Sequence, residues 1–244
     1  MLSPADLPCT EKRDHAMTKR DKQPSAKTTK ILLVDDHPMM REGLRQIIGC
    51  EPDLLVCGEA ENAFQALELV GKLKPDLVLA DITLPDKSGL ELIKDIQAMH
   101  PNLPVLAISM HDEALYAERV LRAGGRGYIM KHEGGKKMMQ AIRCVLSGQV
   151  SVSEKMSMKI LEIFSGRRMD SSSSPVENLT DREFEVFRHI GEGLGTKKIA
   201  EQMRVSAKTV EVHRINIKAK LNLKTMPELI RYAVRWVESQ SARG

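Results

Sequence analysis

From Ile31 to Ile129 short apolar runs alternate with segments of helical period, and few folds accommodate that order. Ile31–Val34, Leu54–Val56, Leu77–Ala80, Val105–Ile108 and Gly127–Ile129 are strand-sized and almost continuously apolar. Residues 38–49, 62–73, 88–99, 112–123 and 134–147 carry apolar side chains three and four apart, as in Phe64, Leu67, Val70 and Leu73. A strand without polar alternation is buried on both faces, and parallel neighbours need a crossover helix between them. The pattern predicts an α/β domain over residues 30–148, a five-stranded parallel sheet doubly wound by helices.

The remainder of the chain reads differently. Residues 1–29 are rich in Lys, Asp, Thr, Ser and Pro without a hydrophobic period, as expected of a disordered tail. Residues 149–178 read as a linker: Met156 to Phe164 has helical character, and Ser171-Ser172-Ser173-Ser174-Pro175 interrupts any regular element. From Leu179 only helical periods follow, opened by the capping box Thr180-Asp181-Arg182-Glu183, so 179–240 is expected to be a small all-α domain.

Charge separates the same halves. Residues 30–150 hold 14 Lys/Arg against 17 Asp/Glu, whereas residues 179–244 hold 13 against 8. Cys9, Cys50, Cys57 and Cys144 lack the paired spacing of a zinc or redox site, so reduced thiols are expected. Apolar runs such as Val105 to Met110 fall far short of the roughly 20 residues that cross a bilayer, and no secretory signal opens the chain. A cytoplasmic protein without membrane contact is expected.

In an open parallel sheet, ligands collect beyond the carboxyl ends of the strands. Here those ends are polar: Asp35 and Asp36 follow the first strand, Asp81 the third, Ser109 the fourth and Lys131 the fifth. Clustered carboxylates repel one another and raise their own pKa values unless a cation neutralises them. A hard divalent ion such as Mg²⁺, held by carboxylates and phosphate oxygens, answers that need. Asp81, alone at the central strand's end, is the better nucleophile, and an aspartyl phosphate would result. Lys131 would then pair with a phosphate oxygen and the Ser109 hydroxyl would donate to another. Taken singly, Asp36 before Pro38 suits a helix cap, Ser109 a loop hydroxyl and Lys131 a surface charge. Joint placement at the strand ends favours the site.

Through Val34-Asp35-Asp36-His37-Pro38, Asp81-Ile82-Thr83-Leu84-Pro85, Ser109-Met110 and Gly127-Tyr128-Ile129-Met130-Lys131, residues 30–148 resemble a response-regulator receiver domain. The resemblance implies a flavodoxin-like fold, Mg²⁺ on Asp35, Asp36, Asp81 and the Thr83 carbonyl, phosphorylation of Asp81 by a sensor histidine kinase, and a switch pair in Ser109 and Tyr128. Lys87-Ser88-Gly89 replaces the commoner Met-Asp-Gly, and His132 stands where many receivers carry proline.

Residues 193–221 contain two helices around Arg204-Val205-Ser206. Ile199, Ala200 and Met203 give the first an apolar face; Val210, Ile217 and Leu221 give the second its own. The opposite surface of the second offers Lys208, Thr209, Glu211, Val212, Arg214, Ile215 and Lys218, a mixture suited to phosphates and base edges, although most charged helix faces are merely solvated. Leu179-Thr180-Asp181-Arg182-Glu183, Lys208-Thr209-Val210-Glu211-Val212-His213 and Asn216-Ile217-Lys218-Ala219-Lys220-Leu221 look like a LuxR-type helix-turn-helix, and the two halves together resemble the NarL/FixJ response regulators.

That resemblance implies a four-helix DNA-binding domain whose third helix enters the major groove. Lys197, Lys198, Lys208, His213 and Lys218 are the expected phosphate contacts, with Glu211, Val212, Arg214 and Ile215 as sequence readers. Leu229, Ile230, Ala233 and Trp236 would supply a dimer stripe on the last helix, or pack within their own domain. The expected protein is a transcription regulator rather than an enzyme. It would partner with a histidine kinase, with double-stranded DNA at inverted or tandem promoter half-sites, with RNA polymerase, and with a second copy when phosphorylated. An aspartyl-phosphate phosphatase, the enzymatic rival, usually has a second acid two residues after its nucleophile, where this chain has Thr83.

Overall fold

A computed structural model describes residues 28–164 and 175–241. The tail read over 1–29 lies outside the described residues except for Thr28 and Thr29, as do Ser171–Ser174 of the Ser-Pro stretch. The first domain runs β1 (Thr29–Val34), α1 (Pro38–Gly49), β2 (Leu54–Ala60), α2 (Ala63–Leu73), β3 (Leu77–Asp81), α3 (Gly89–Met99), β4 (Val105–Ser109), α4 (Glu113–Arg122), β5 (Gly127–Met130) and α5 (Gly134–Leu146). All strand pairs are parallel, in the order β2-β1-β3-β4-β5. Successive side chains of β1 point to opposite faces. Ile31 and Leu33 join Leu44 and Ile48 of α1 and Ile142 of α5, whereas Leu32 and Val34 join Val70 of α2, Ile93 of α3 and Val120 of α4.

Residues 149–164 carry regular structure, including the helical character expected from Met156 to Phe164. Ser151 lies beside β5, with the Tyr128 amide donating to its carbonyl at 2.8 Å and its own amide donating to the Arg126 carbonyl at 3.0 Å. Gly127 permits this approach, because a Cβ there would sit 2.6 Å from the Ser151 carbonyl oxygen. A further helix, α6 (Glu154–Phe164), follows and buries Met156. The Pro175–Asn178 stretch forms a turn of 3₁₀ helix.

The second domain comprises α7 (Asp181–Gly191), α8 (Thr196–Gln202), α9 (Ala207–Lys220) and α10 (Met226–Ser241). The Thr180 capping box starts α7, the Glu183 carboxylate accepting from the Thr180 amide at 2.8 Å and pairing with Lys220 at 2.6 Å. Arg204, at a left-handed φ of 49°, turns the chain, and Ser206 caps α9 by accepting from the Thr209 amide at 3.0 Å. Ile199, Ala200, Met203, Val210, Ile217 and Leu221 are all buried, and α8 and α9 meet through them.

Of the two readings of the α10 stripe, packing within its own domain is what the single chain shows for three of the four residues. Leu229 and Ala233 are completely buried against their own domain, and Trp236 packs edge-on to Phe184 and Phe187 at 5.6 and 5.5 Å. Only Ile230 of the four is exposed. Amphipathic period identifies a buried face without identifying its partner, and here the partner is α7. Gly191 lets the two helices touch, since a Cβ there would lie 2.6 Å from the Ala233 carbonyl oxygen.

The domains are docked through α3 and α4 on one side and the start of α7 on the other. Arg119 is the hub: its guanidinium donates to the Leu179 and Val176 carbonyls, each at 3.0 Å, and lies 4.2 Å from the centre of the Phe184 ring. Lys94 pairs with Asp181 at 2.7 Å and Arg182 with Glu91 at 3.2 Å. Tyr116 meets Phe184 edge-on at 5.4 Å, so one apolar cluster continues from the α2–α4 side of the sheet into the helical domain.

Candidate functional site

The carboxyl ends of β1, β3 and β5 bring four of the expected residues, Asp35, Asp36, Asp81 and Lys131, together. Lys131 Nζ lies 2.7 Å from Asp35 Oδ2 and 2.8 Å from Asp81 Oδ2, and all three side chains are nearly inaccessible to water. Burial, opposed by Lys131 and reinforced by the Asp35 carboxylate, pushes Asp81 up to about 6. Burial also opposes the Lys131 charge, but Asp81 and Asp35 outweigh it and hold the ammonium above its ordinary value. One ligand atom each from Asp35, Asp36, His37 and Asp81 fall within 4.8 Å of one another.

Two carboxylate oxygens bear on whether this cluster fits a cation. Asp35 Oδ2 and Asp36 Oδ1 are buried without a directed hydrogen bond, although Lys131 Nζ and His37 Nδ1 stand 2.7 and 2.8 Å away. A buried anionic oxygen left so costs free energy that a hard cation would recover. The all-oxygen donors of the three aspartates therefore fit Mg²⁺. Thr83 meets Asp81 through its amide, which donates to Asp81 Oδ1 at 3.2 Å.

Local sequence explains how Asp81 is held. The Gly89 amide donates to the Ile82 carbonyl at 2.8 Å, and a Cβ on Gly89 would lie 2.1 Å from the Asp81 carbonyl oxygen. Only glycine lets α3 begin this close behind the end of β3. Ser109 is wholly buried at the end of β4, its hydroxyl accepting from the His111 amide at 3.1 Å, and Tyr128 donates from its hydroxyl to the His111 carbonyl at 2.7 Å. Burial raises the Tyr128 phenol, keeping it a donor.

His111 escaped the sequence reading. It lines the cavity at the site, its Nε2 3.3 Å from the Thr83 hydroxyl and its ring stacked on Tyr116 at 5.1 Å. Burial, aided by the Arg188 charge, pushes it down to about 4, so the ring is neutral at physiological pH. Its position two residues beyond a strand-end serine was the only available signal.

Asp81, Thr83, His111 and Lys131 open onto a cavity of about 410 Å³ whose wall also includes Arg188 and His189 of α7, Glu192 just after it and Met203 just beyond α8. Residues of the helical domain thus share one cavity with the acidic site. A second cavity, about 790 Å³, runs between α3 and α4 and the helical domain, with His213 and Trp236 in its wall.

The expected DNA face is only partly assembled. Lys197, Lys198, Lys208, Thr209, Glu211, Val212 and Ile215 are exposed. Arg214 is half-buried and tied to the Thr196 hydroxyl and, at 3.0 Å, to Glu211. Lys218 donates to the Lys224 carbonyl at 3.4 Å. His213 departs from the set, lining the interdomain cavity with Nδ1 buried and without a hydrogen-bond partner.

Comparison with known proteins agrees with both halves. Residues 31–143 match the family described as "Response regulator receiver domain", and residues 177–233 match "Bacterial regulatory proteins, luxR family". The chain belongs to the luxR-type response regulators. The oxygen regulatory protein NreC of Staphylococcus carnosus is 35% identical over 210 residues, covering 84% of this regulator and 97% of NreC. NreC of Staphylococcus aureus (strain MRSA252) is 36% identical with the same coverage. A LuxR-family two-component response regulator from Aurantimonas sp. SI85-9A1 superposes on 57% of the regulator and 99% of its own chain, with a TM-score of 0.53 and 34% identity. RcsB of Salmonella enterica serovar Typhimurium, solved bound to promoter P1flhDC with phosphomimetic BeF3-, shares the fold at 23% identity and a TM-score of 0.58, covering 84% of the regulator and 98% of its own chain. The regulator is therefore a two-component response regulator acting in transcription, with a receiver input and a luxR-type DNA-binding output. Among the described residues no helix is long and apolar enough to cross a membrane.

Proposed function

We propose that Asp81 is the phosphoacceptor and that its phosphorylation releases the DNA-binding domain from the receiver. One observation carries this reading: the cavity onto which Asp81 opens is walled in part by α7 of the DNA-binding domain. Input and output share one chamber.

A carboxylate oxygen of Asp81 attacks phosphorus of a kinase phosphohistidine; the O–P bond forms, the P–N bond breaks, and the imidazole leaves with a proton from solvent. Asp35, Asp36 and Asp81 would hold Mg²⁺, with the Thr83 carbonyl as a further ligand, and the ion would neutralise charge on the transferring phosphoryl oxygens. Lys131 passes from the free carboxylate to a phosphate oxygen. Ser109 turns its hydroxyl to the phosphate, giving up the His111 amide 3.1 Å away. Tyr128 follows, since it holds the same residue through its carbonyl. His111 stacks on Tyr116 and Tyr116 abuts Phe184, so movement at the switch bears directly on the interdomain contact.

Once free, the DNA-binding domain presents α9 to the major groove. Lys197, Lys198, Lys208 and Lys218 are proposed for phosphates, with Thr209, Glu211, Val212, Arg214 and Ile215 along the same face. His213 joins them only after leaving the interdomain cleft. Pairing of phosphorylated chains on inverted or tandem promoter half-sites, contact with RNA polymerase, a cognate sensor histidine kinase and action in the cytoplasm complete the reading. Ile230 is the one residue of the expected dimer stripe whose exposure suits pairing.

Incubation with acetyl phosphate and Mg²⁺, followed by intact-mass measurement and a DNA-binding assay, tests the proposal. Wild type should gain one phosphoryl group and bind promoter DNA more tightly, whereas Asp81→Asn should do neither. Absence of a mass gain on wild type would sink the proposal.

A further inference from the structure

Among the buried polar residues of the receiver, one basic side chain stands behind the acidic cluster rather than in it. Arg41, on the second turn of α1, has lost almost all contact with water. Its Nη1 donates to the Asp35 carbonyl at 2.6 Å. The remaining guanidinium edges are occupied from β2 and the turn after it: Nε donates to Glu59 at 3.2 Å and Nη2 to Glu61 at 2.7 Å. These two carboxylates flank Ala60, whose carbonyl accepts from the Asp35 amide at 3.0 Å.

Three of the four polar atoms of Asp35 are thereby held by hydrogen bonds, and the fourth, Oδ2, has only an ion-pair neighbour. Its amide is fixed by Ala60, its carbonyl by Arg41, Oδ1 by the His37 amide at 2.9 Å, and Oδ2 lies against Lys131. The Arg41 contact sets the plane of the peptide joining Asp35 to Asp36, and hence the direction in which the Asp36 carboxylate leaves the strand end. Guanidinium suits this task better than ammonium, because its planar fork engages three acceptors at fixed angles.

We infer that Arg41 is a positioning residue for the divalent cation, orienting Asp35 and Asp36 from behind without touching the ion. The inference rests on the Mg²⁺ reading of the aspartate cluster. Partners behind metal ligands typically contribute ten- to a hundredfold in affinity. Electrostatics alone predicts the opposite sign: Arg41 is a positive charge close to a cation site, so its removal should tighten binding if field were all that mattered.

Mn²⁺ binding to the full chain, followed by electron paramagnetic resonance with Mg²⁺ as competitor, separates these effects without reference to phosphorylation. Arg41→Met is expected to weaken binding about tenfold, with Arg41→Lys intermediate. Arg45→Ala, which removes a charge 3.9 Å from the same Glu59 but makes no contact with Asp35, should leave affinity within about twofold of wild type. Circular dichroism verifies folding. Should Arg41→Met fail to fold, Glu61→Gln serves instead, because Glu61 is exposed and an amide accepts more weakly from Nη2; it should bind Mn²⁺ measurably less well than wild type. Unchanged or tighter binding in a folded Arg41→Met, or in Glu61→Gln where that variant replaces it, would overturn the inference, as would an equal loss in Arg45→Ala. A wild-type chain that bound neither ion would instead overturn the Mg²⁺ reading itself.

Discussion

Asp81 is a buried carboxylate whose neighbours, Lys131 included, offset only part of the cost of its charge. In the folded chain it titrates at about 6 against an ordinary 3.8, chiefly because it is buried. Folding therefore favours the protonated carboxyl. Below about pH 4 the carboxyl is protonated in folded and unfolded chains alike and no penalty arises; from there up to about 6 the unfolded chain ionises first, stability falls, and the loss is complete once the folded chain has ionised as well. Asn carries no such charge. In the presence of a chelator, Asp81→Asn is expected to be on the order of 2–3 kcal/mol more stable than wild type near pH 7.5, the difference closing toward about pH 4. Urea unfolding at the two pH values measures this, and equal stability near pH 7.5 would show that Lys131 already compensates the burial. Strand ends made Asp35, Asp36, Asp81 and Lys131 legible in the sequence, because a parallel sheet has only one edge where such residues gather. Arg41 and His111 were not legible: an arginine within a helix and a histidine in a loop acquire their roles from partners the sequence does not place beside them.

At the scale of elements, the latch between α4 and α7 is concentrated in Arg119. Its side chain is largely shielded, and it satisfies two backbone carbonyls while covering Phe184. Arg119→Ala removes charge-assisted hydrogen bonds on the order of 2 kcal/mol, roughly a thirtyfold shift toward the open arrangement. The unphosphorylated variant should bind promoter DNA more tightly than unphosphorylated wild type, with the two converging once phosphorylated; identical affinities before phosphorylation would remove Arg119 from the latch. Strands and helices of the receiver were readable to within a few residues because periodicity is local. β2 extends to Ala60, beyond the apolar run ending at Val56, because Cys57 to Ala60 continue the pairing with β1. The strip at 149–153 was missed because its partner, β5, is recognised by a glycine's missing side chain rather than by any pattern in the strip. The α10 stripe left two partners open for a related reason: a buried face announces burial, not the neighbour.

Across the whole molecule an acidic receiver is joined to a basic DNA-binding domain, and each half has a separate relation to salt. DNA binding by α9 should weaken with ionic strength as counterions cease to be released. Lys208 is exposed at the first turn of α9, and Lys208→Ala is expected to weaken binding across sequences and reduce the logarithmic salt slope by about one. Titration at several salt concentrations, on specific and unrelated DNA, gives both numbers. A loss confined to one operator would assign Lys208 to base recognition instead.

The chain contains a single tryptophan, and that residue lies on the seam between the domains, edge-on to Phe184 and in the wall of the larger cavity. The regulator therefore carries its own optical reporter. Separation of the domains would admit water to one side of the indole, shifting its emission to the red. Adding beryllofluoride and Mg²⁺ to unlabelled protein should produce that shift in wild type and none in Asp81→Asn. Stopped-flow recording of the same signal would time the opening against the phosphorylation that drives it.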